Sequence, residues 1–138
     1  MPGSFADFLE DELLDHTFAG QSYAAPATHY IALYTVAPNG AGGGTEVSGN
    51  GYARVAVTAN LTNWPASVGS AIANGAAFVF PTASGGNWGT IVAMAILDAA
   101  TAGNFMGVAD LEDFKSVDDG RTASFEIGDI DIKFLDET

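Results

Sequence analysis

The sequence predicts a mainly β protein: an antiparallel β-sandwich or small barrel with a short amphipathic helix at its N-terminus. Three observations predict it. About seven short runs rich in aromatic and β-branched residues alternate with Gly-rich turns, the pattern of a sandwich or barrel. Helical periodicity is confined to residues 1–20. The chain has 138 residues, 48% of them hydrophobic, enough for one domain with a sizeable core and too apolar for a disordered segment.

The elements follow in order. Ser4 is a good N-cap, and Asp7 three residues on completes an approximate capping box. Phe5, Phe8, Leu9 and Leu13 then recur at helical spacing, with Asp7, Glu10, Asp11 and Asp15 elsewhere on the surface and Gly20 as the stop. Residues 1–20 are therefore expected to form a helical arm, and 21–138 a single β-domain. The apolar stripe of the arm has two readings: it packs on the chain's own sheet, or it docks on a neighbouring subunit. On the second reading the arm can be removed without unfolding the β-domain. Tyr30 to Val36 and Tyr52 to Thr58 read as strands, the latter with Ala53, Val55 and Val57 on one face. Ala76 to Phe80 is a strand ending at Pro81. Ile91 to Asp98 is apolar on both faces, which places it centrally. Asn104 to Leu111 follows. Thr122 to Ile127 and Ile130 to Leu135 are expected to pair as a hairpin around Gly128-Asp129, with Ile130, Ile132 and Phe134 facing in and Asp131 and Lys133 facing water.

Charge narrows the function. Seventeen acidic residues stand against four cations, Arg54, Lys115, Arg121 and Lys133, a net charge of -13. Phosphate contacts need a basic face, so nucleic acid is excluded as a direct partner, as is an anionic membrane surface. The absence of cysteine excludes disulfides, thiolate metal sites and cysteine nucleophiles. No signal peptide is visible, and the longest apolar run, Ile91 to Leu97, is too short to span a bilayer. The expected place of synthesis is a cytoplasm.

The motifs carry little chemistry. The loop from Val36 to Gly51 has six glycines but neither the Gly-Lys-Ser/Thr ending nor the following helix of a phosphate cradle. Its glycines supply positive φ and a flexible excursion. Asp110, Glu112, Asp113, Asp118 and Asp119 lack the spacing of a calcium loop and read as a solvated face. His16 and His29 are too few for a metal centre, and no nucleophile-elbow motif is present. No catalytic, cofactor-binding or metal-binding residue is assigned. Trp64 and Trp88 flank loops and either plug the ends of the core or stack on a ligand.

The order of motifs is more telling than any one of them. Ile31-Ala32-Leu33-Tyr34-Thr35 precedes Pro38, then Gly42-Gly43-Gly44-Thr45-Glu46-Val47-Ser48-Gly49 and Gly51-Tyr52-Ala53-Arg54. Asn74-Gly75, Phe80-Pro81, Trp88-Gly89-Thr90, Asp98 to Asn104 and Gly120 follow. This series, from Phe5 to Leu135, resembles a family of small tailed-phage virion structural proteins, labelled tail-fibre-like or acting as capsid decoration (cement) proteins. The resemblance implies a non-enzymatic virion protein made in the host cytoplasm. The leading expectation is a homotrimeric decoration protein that binds the major capsid protein or other virion proteins and stabilises the head; the lack of a fibre shaft in this chain favours it. The alternative is a tail-associated fibre or adhesin domain that binds a host surface glycan. Candidate interface residues are Phe5, Phe8, Leu9 and Leu13 on the arm and Tyr52, Trp64 and Trp88 beside loops.

Overall fold

In the computed structural model of the protein, residues 2–134 are described. Strands β1 (Pro2–Phe5), β2 (Thr28–Val36), β3 (Thr45–Glu46), β4 (Val55–Thr58), β5 (Ala71–Ala73), β6 (Phe78–Thr82), β7 (Gly89–Leu97), β8 (Phe105–Val117), β9 (Thr122–Phe125) and β10 (Asp131–Lys133) accompany one helix, α1 (Asp7–Phe18). The mainly β fold with a single N-terminal helix is the one the sequence predicts. Eight strands form a large sheet in the order β3-β2-β7-β8-β1-β10-β5, with β4 also on β2; β6 and β9 form a separate pair.

The two layers enclose one core. Ile31 and Leu33 of β2, Ile91 and Met94 of β7, and Phe78, Phe80 and Phe125 of the small pair meet in it. The opposite face of the central strands is a second, smaller apolar layer of Ala32, Tyr34, Ala93, Ala95 and Leu97. Strand β7 lies between β2 and β8, so burial on both faces makes it the continuous apolar run that marked it as central. A register shift opposite β8 sets Leu111–Phe114 against Val92 alone and arches that acidic stretch outward, leaving Phe114 exposed.

Several sequence expectations change. Residues 2–5 form a strand rather than the start of a helix. β1 lies between β8 and β10, antiparallel to the first and parallel to the second, so the sheet is not wholly antiparallel. The fit is tight: a Cβ on Gly3 would sit 2.7 Å from Ile132 Cδ1. Ser4 is held in this ladder, and the N-cap is Ala6, which has no side-chain cap.

The terminal hairpin does not form. β9 pairs with β6, whereas β10 pairs with β1 and β5. The cause is Asn74, 1% exposed. Its Oδ1 accepts the Ile130 N–H at 2.9 Å, and its Nδ2 donates to Ala76 O and Glu126 O, both at 2.9 Å. Its backbone carbonyl accepts the Gly128 N–H. The 126–130 turn is thus wrapped around Asn74, which prises β9 and β10 into different layers. Ile130 and Ile132 are buried as expected, but Phe134 is largely exposed and meets Phe5 edge-on at 4.5 Å. Leu135 lies outside the described residues. Finally, β6 continues through Pro81 to Thr82; its short pairing with β9 shifts register between Val79 and Thr82, where a missing N–H does no harm.

Candidate functional site

Strand β2 has two short partners on one edge. β4 pairs with Thr28–Ile31, and β3 with Tyr34 and Val36. In the gap, the Leu33 N–H donates to the Tyr52 hydroxyl at 3.0 Å, a side chain standing in for a strand. The hydroxyl donates in turn to Glu46 Oε2 at 2.8 Å. Arg54 completes the group: its Nε and Nη2 each reach a Glu46 carboxylate oxygen at 2.8 Å. Its Nη1 donates to Ala99 O at 2.7 Å and Ala102 O at 2.8 Å. One guanidinium therefore ties the Gly-rich loop to the β7–β8 turn. That turn is closed by Asp98, whose Oδ1 accepts the Asn104 N–H at 2.7 Å. Its other carboxylate oxygen, Oδ2, accepts Asn104 Nδ2 at 3.0 Å.

The electrostatics follow from the geometry. Burial raises the Glu46 carboxyl, but hydrogen bonds from Arg54 and Tyr52 and the guanidinium charge outweigh it, and the group is held below the ordinary carboxylate range. Burial, together with the Glu46 charge, pushes Tyr34 up to about 12. Burial is also the main cause that raises the Tyr52 hydroxyl. At neutral pH the cluster is one carboxylate, one guanidinium and two neutral phenols, with its charges balanced internally.

Trp88 joins the same end. It is 6% exposed, meets Tyr52 edge-on at 5.3 Å, and donates from Nε1 to Asn50 O at 2.9 Å. Asn50 Nδ2 donates to Asn87 O, and Asn87 Oδ1 accepts the Asp119 N–H. Three loops are thereby laced together. Outside the lacing, an open cleft of about 490 Å³ remains between the Gly-rich loop and the β7–β8 turn. Ser48, Gly49, Ala53 and Thr101 are among its walls. Its walls mix the Ser48 and Thr101 hydroxyls and the paired Glu46 and Arg54 with the apolar Val47, Ala53, Ala100 and Ala102.

The remaining candidates gather elsewhere. Phe5, Leu9 and Trp64 line a second, almost wholly apolar cleft of about 340 Å³, together with Ile72, Met106 and Ile132. His29 also lines it, edge-on to Trp64. His29 Nδ1 and Trp64 Nε1 have no hydrogen-bond partner among the described residues, and burial lowers the His29 pKa. Phe8 packs on the main core, and Leu13 is half-buried farther along α1. The structure thus divides the seven candidates. Phe5, Leu9 and Trp64 share one cleft, Tyr52 and Trp88 brace the loop end, and Phe8 and Leu13 follow the helix. Trp88 offers no free ring face for stacking. Among the described residues no three His, Asp or Glu side chains converge to hold a metal ion, and no helix is long and apolar enough to cross a membrane.

Sequence reading missed Glu46 as the partner of Arg54. The available signal was Arg54 itself, one of four cations in the chain and set between apolar residues. A family model described as Podophage GP4 fiber I protein gp80 matches residues 4–133. No curated protein matches the chain.

Proposed function

The chain belongs to the family of the podophage GP4 fiber I protein gp80, and from that premise we propose that it is a non-enzymatic, tail-associated fibre component whose loop end binds a host surface glycan. The family match is the observation that carries this reading. It spans nearly the whole β-domain and names a fibre, which favours the tail over the head decoration that the sequence alone put first. The cleft beside Ser48 and Thr101 supports the glycan part, because sugar hydroxyls are recognised by short polar side chains and backbone groups on loops held by a rigid scaffold. The reading includes a homotrimer attached to other virion proteins.

Gold-labelled antibody against this chain, viewed on intact virions, tests the location. Label at the tail is the expected result. Label spread over the head would overturn the fibre reading and restore decoration. Glycan binding is tested separately, with purified protein and host surface polysaccharide. A Thr101→Trp substitution, which narrows the cleft, is expected to abolish retention of the polysaccharide; unchanged retention would remove the cleft from the account.

A further inference from the structure

The two strands that meet at the 118–121 turn belong to different layers, and the gap between them is charged at its mouth. β8 lies in the large sheet and β9 in the small pair. The turn is braced on its neighbours: the Asp119 N–H donates to Asn87 Oδ1 at 2.8 Å, and the Gly120 N–H to Ala83 O at 2.7 Å. Here β8 pairs regularly with β7, Lys115 opposite Ile91 and Val117 opposite Gly89. Alternation puts Lys115 on the face that Val117 buries in the core. Arg121 stands on the other wall, at the foot of β9. The cleft between them is about 510 Å³. Buried Leu33, Phe80 and Ile91 form its floor, and exposed Lys115 and Arg121 its rim, beside Ser116 and Asp118.

We infer that this cleft binds a carboxylate-bearing sugar, with the carboxylate at the Lys115–Arg121 rim. The chain has four cations against 17 acids. Arg54 is committed to Glu46, and Lys133 lies 3.4 Å from Asp131. Lys115 and Arg121 make no ion pair and no side-chain hydrogen bond among the described residues, yet they line one cleft from opposite walls. A protein this acidic repels anions over most of its surface, so two cations left without carboxylates mark where an anion can be held. A guanidinium forks onto a carboxylate, and an ammonium adds a point charge. Asp118 supplies an acceptor for sugar hydroxyls, and its charge weighs against a compact polyanion such as phosphate. The Ser116 hydroxyl can donate or accept. The apolar floor suits the C–H face of a sugar ring. The volume lies within the roughly 300–1,000 Å³ of small-ligand sites.

This inference rests on the glycan part of the proposed function and adds an acidic sugar and a second contact, in a cleft that shares no wall with the one at the loop end. The probe is free D-glucuronate, titrated into the full chain and followed by backbone amide shifts in NMR, with D-glucose and inorganic phosphate in parallel. Glucuronate is expected to give saturable shifts across residues 115–124 that weaken as salt is added; glucose and phosphate are expected to give none. Lys115→Gln and Arg121→Gln, both at exposed positions, should each weaken binding several-fold and together abolish it, whereas Thr101→Trp in the other cleft should leave it unchanged. No saturable shift from glucuronate, full binding by the double variant, or glucose or phosphate matching glucuronate would each overturn the inference. The probe is a single sugar acid read away from the loop end, so a negative result leaves the polysaccharide test of Thr101→Trp where it stands.

Discussion

Arg54 has more to lose than any other single residue of the loop end. Its side chain is 6% exposed and ties two segments together through contacts to three residues, Glu46, Ala99 and Ala102. Arg54→Gln strands the Glu46 carboxylate and frees the β7–β8 turn, so stability should fall by about 2–3 kcal/mol, read as a lower melting temperature. Adding Glu46→Gln should recover part of the loss, because the stranded charge is then gone. Glu46 also predicts a pH effect. Its folded pKa is depressed, so its contribution is present above the unfolded carboxylate value of about 4.3 and is lost as pH falls through the lower folded value. Acid titration of melting temperature should be flatter in Glu46→Gln than in the parent across that window. Equal slopes would show that the pair contributes nothing there.

At the scale of elements, Asn74 decides which strands belong together. Asn74→Ala removes three side-chain hydrogen bonds and leaves the Ile130 N–H buried without a partner. A loss of about 3 kcal/mol is expected in denaturant unfolding. Gly44→Ala should also destabilise, by about 2 kcal/mol. The backbone is at φ +74, and a Cβ would lie 2.5 Å from the Val36 carbonyl oxygen. These elements were unequally legible in the sequence. β7 declared itself because burial on both faces leaves an unbroken apolar run. The Gly-rich loop did so because many glycines in succession have few other uses. β1 was hidden, since Pro2-Gly3-Ser4 has no β propensity and its partners lie more than a hundred positions away. The terminal hairpin misled for the complementary reason: Gly128-Asp129 is a good local turn, and only a distant asparagine overrules it. The site was half legible. Tyr52, Arg54, Trp88 and the Asp98–Asn104 turn all stood out in sequence, but a charge pair is made through space, and nothing in the order of residues showed that Glu46 completes it.

At the scale of the molecule, the N-terminal segment is part of the sheet, which reverses one expectation about it. Removing residues 1–15 deletes β1 and separates β10 and β5 from β8, so loss of cooperative unfolding is expected, rather than the folded β-domain that a detachable arm would leave. A sharp, near-parental melting transition in that truncation would restore the arm. Ile132→Asp, at a position 4% exposed against Gly3 and the apolar cleft, should unfold the domain by burying an unpaired charge. The parallel ladder from Pro2 to Asp131 also sets a timetable. Its two strands are 129 positions apart, so β1 can complete both its ladders only after nearly all the other strands have been synthesised. Until then β1 can pair with β8, but its other edge stays open. Closing so long a loop is slow and late, and a message cut short before codon 131 would yield a chain with that edge still open, ready to aggregate.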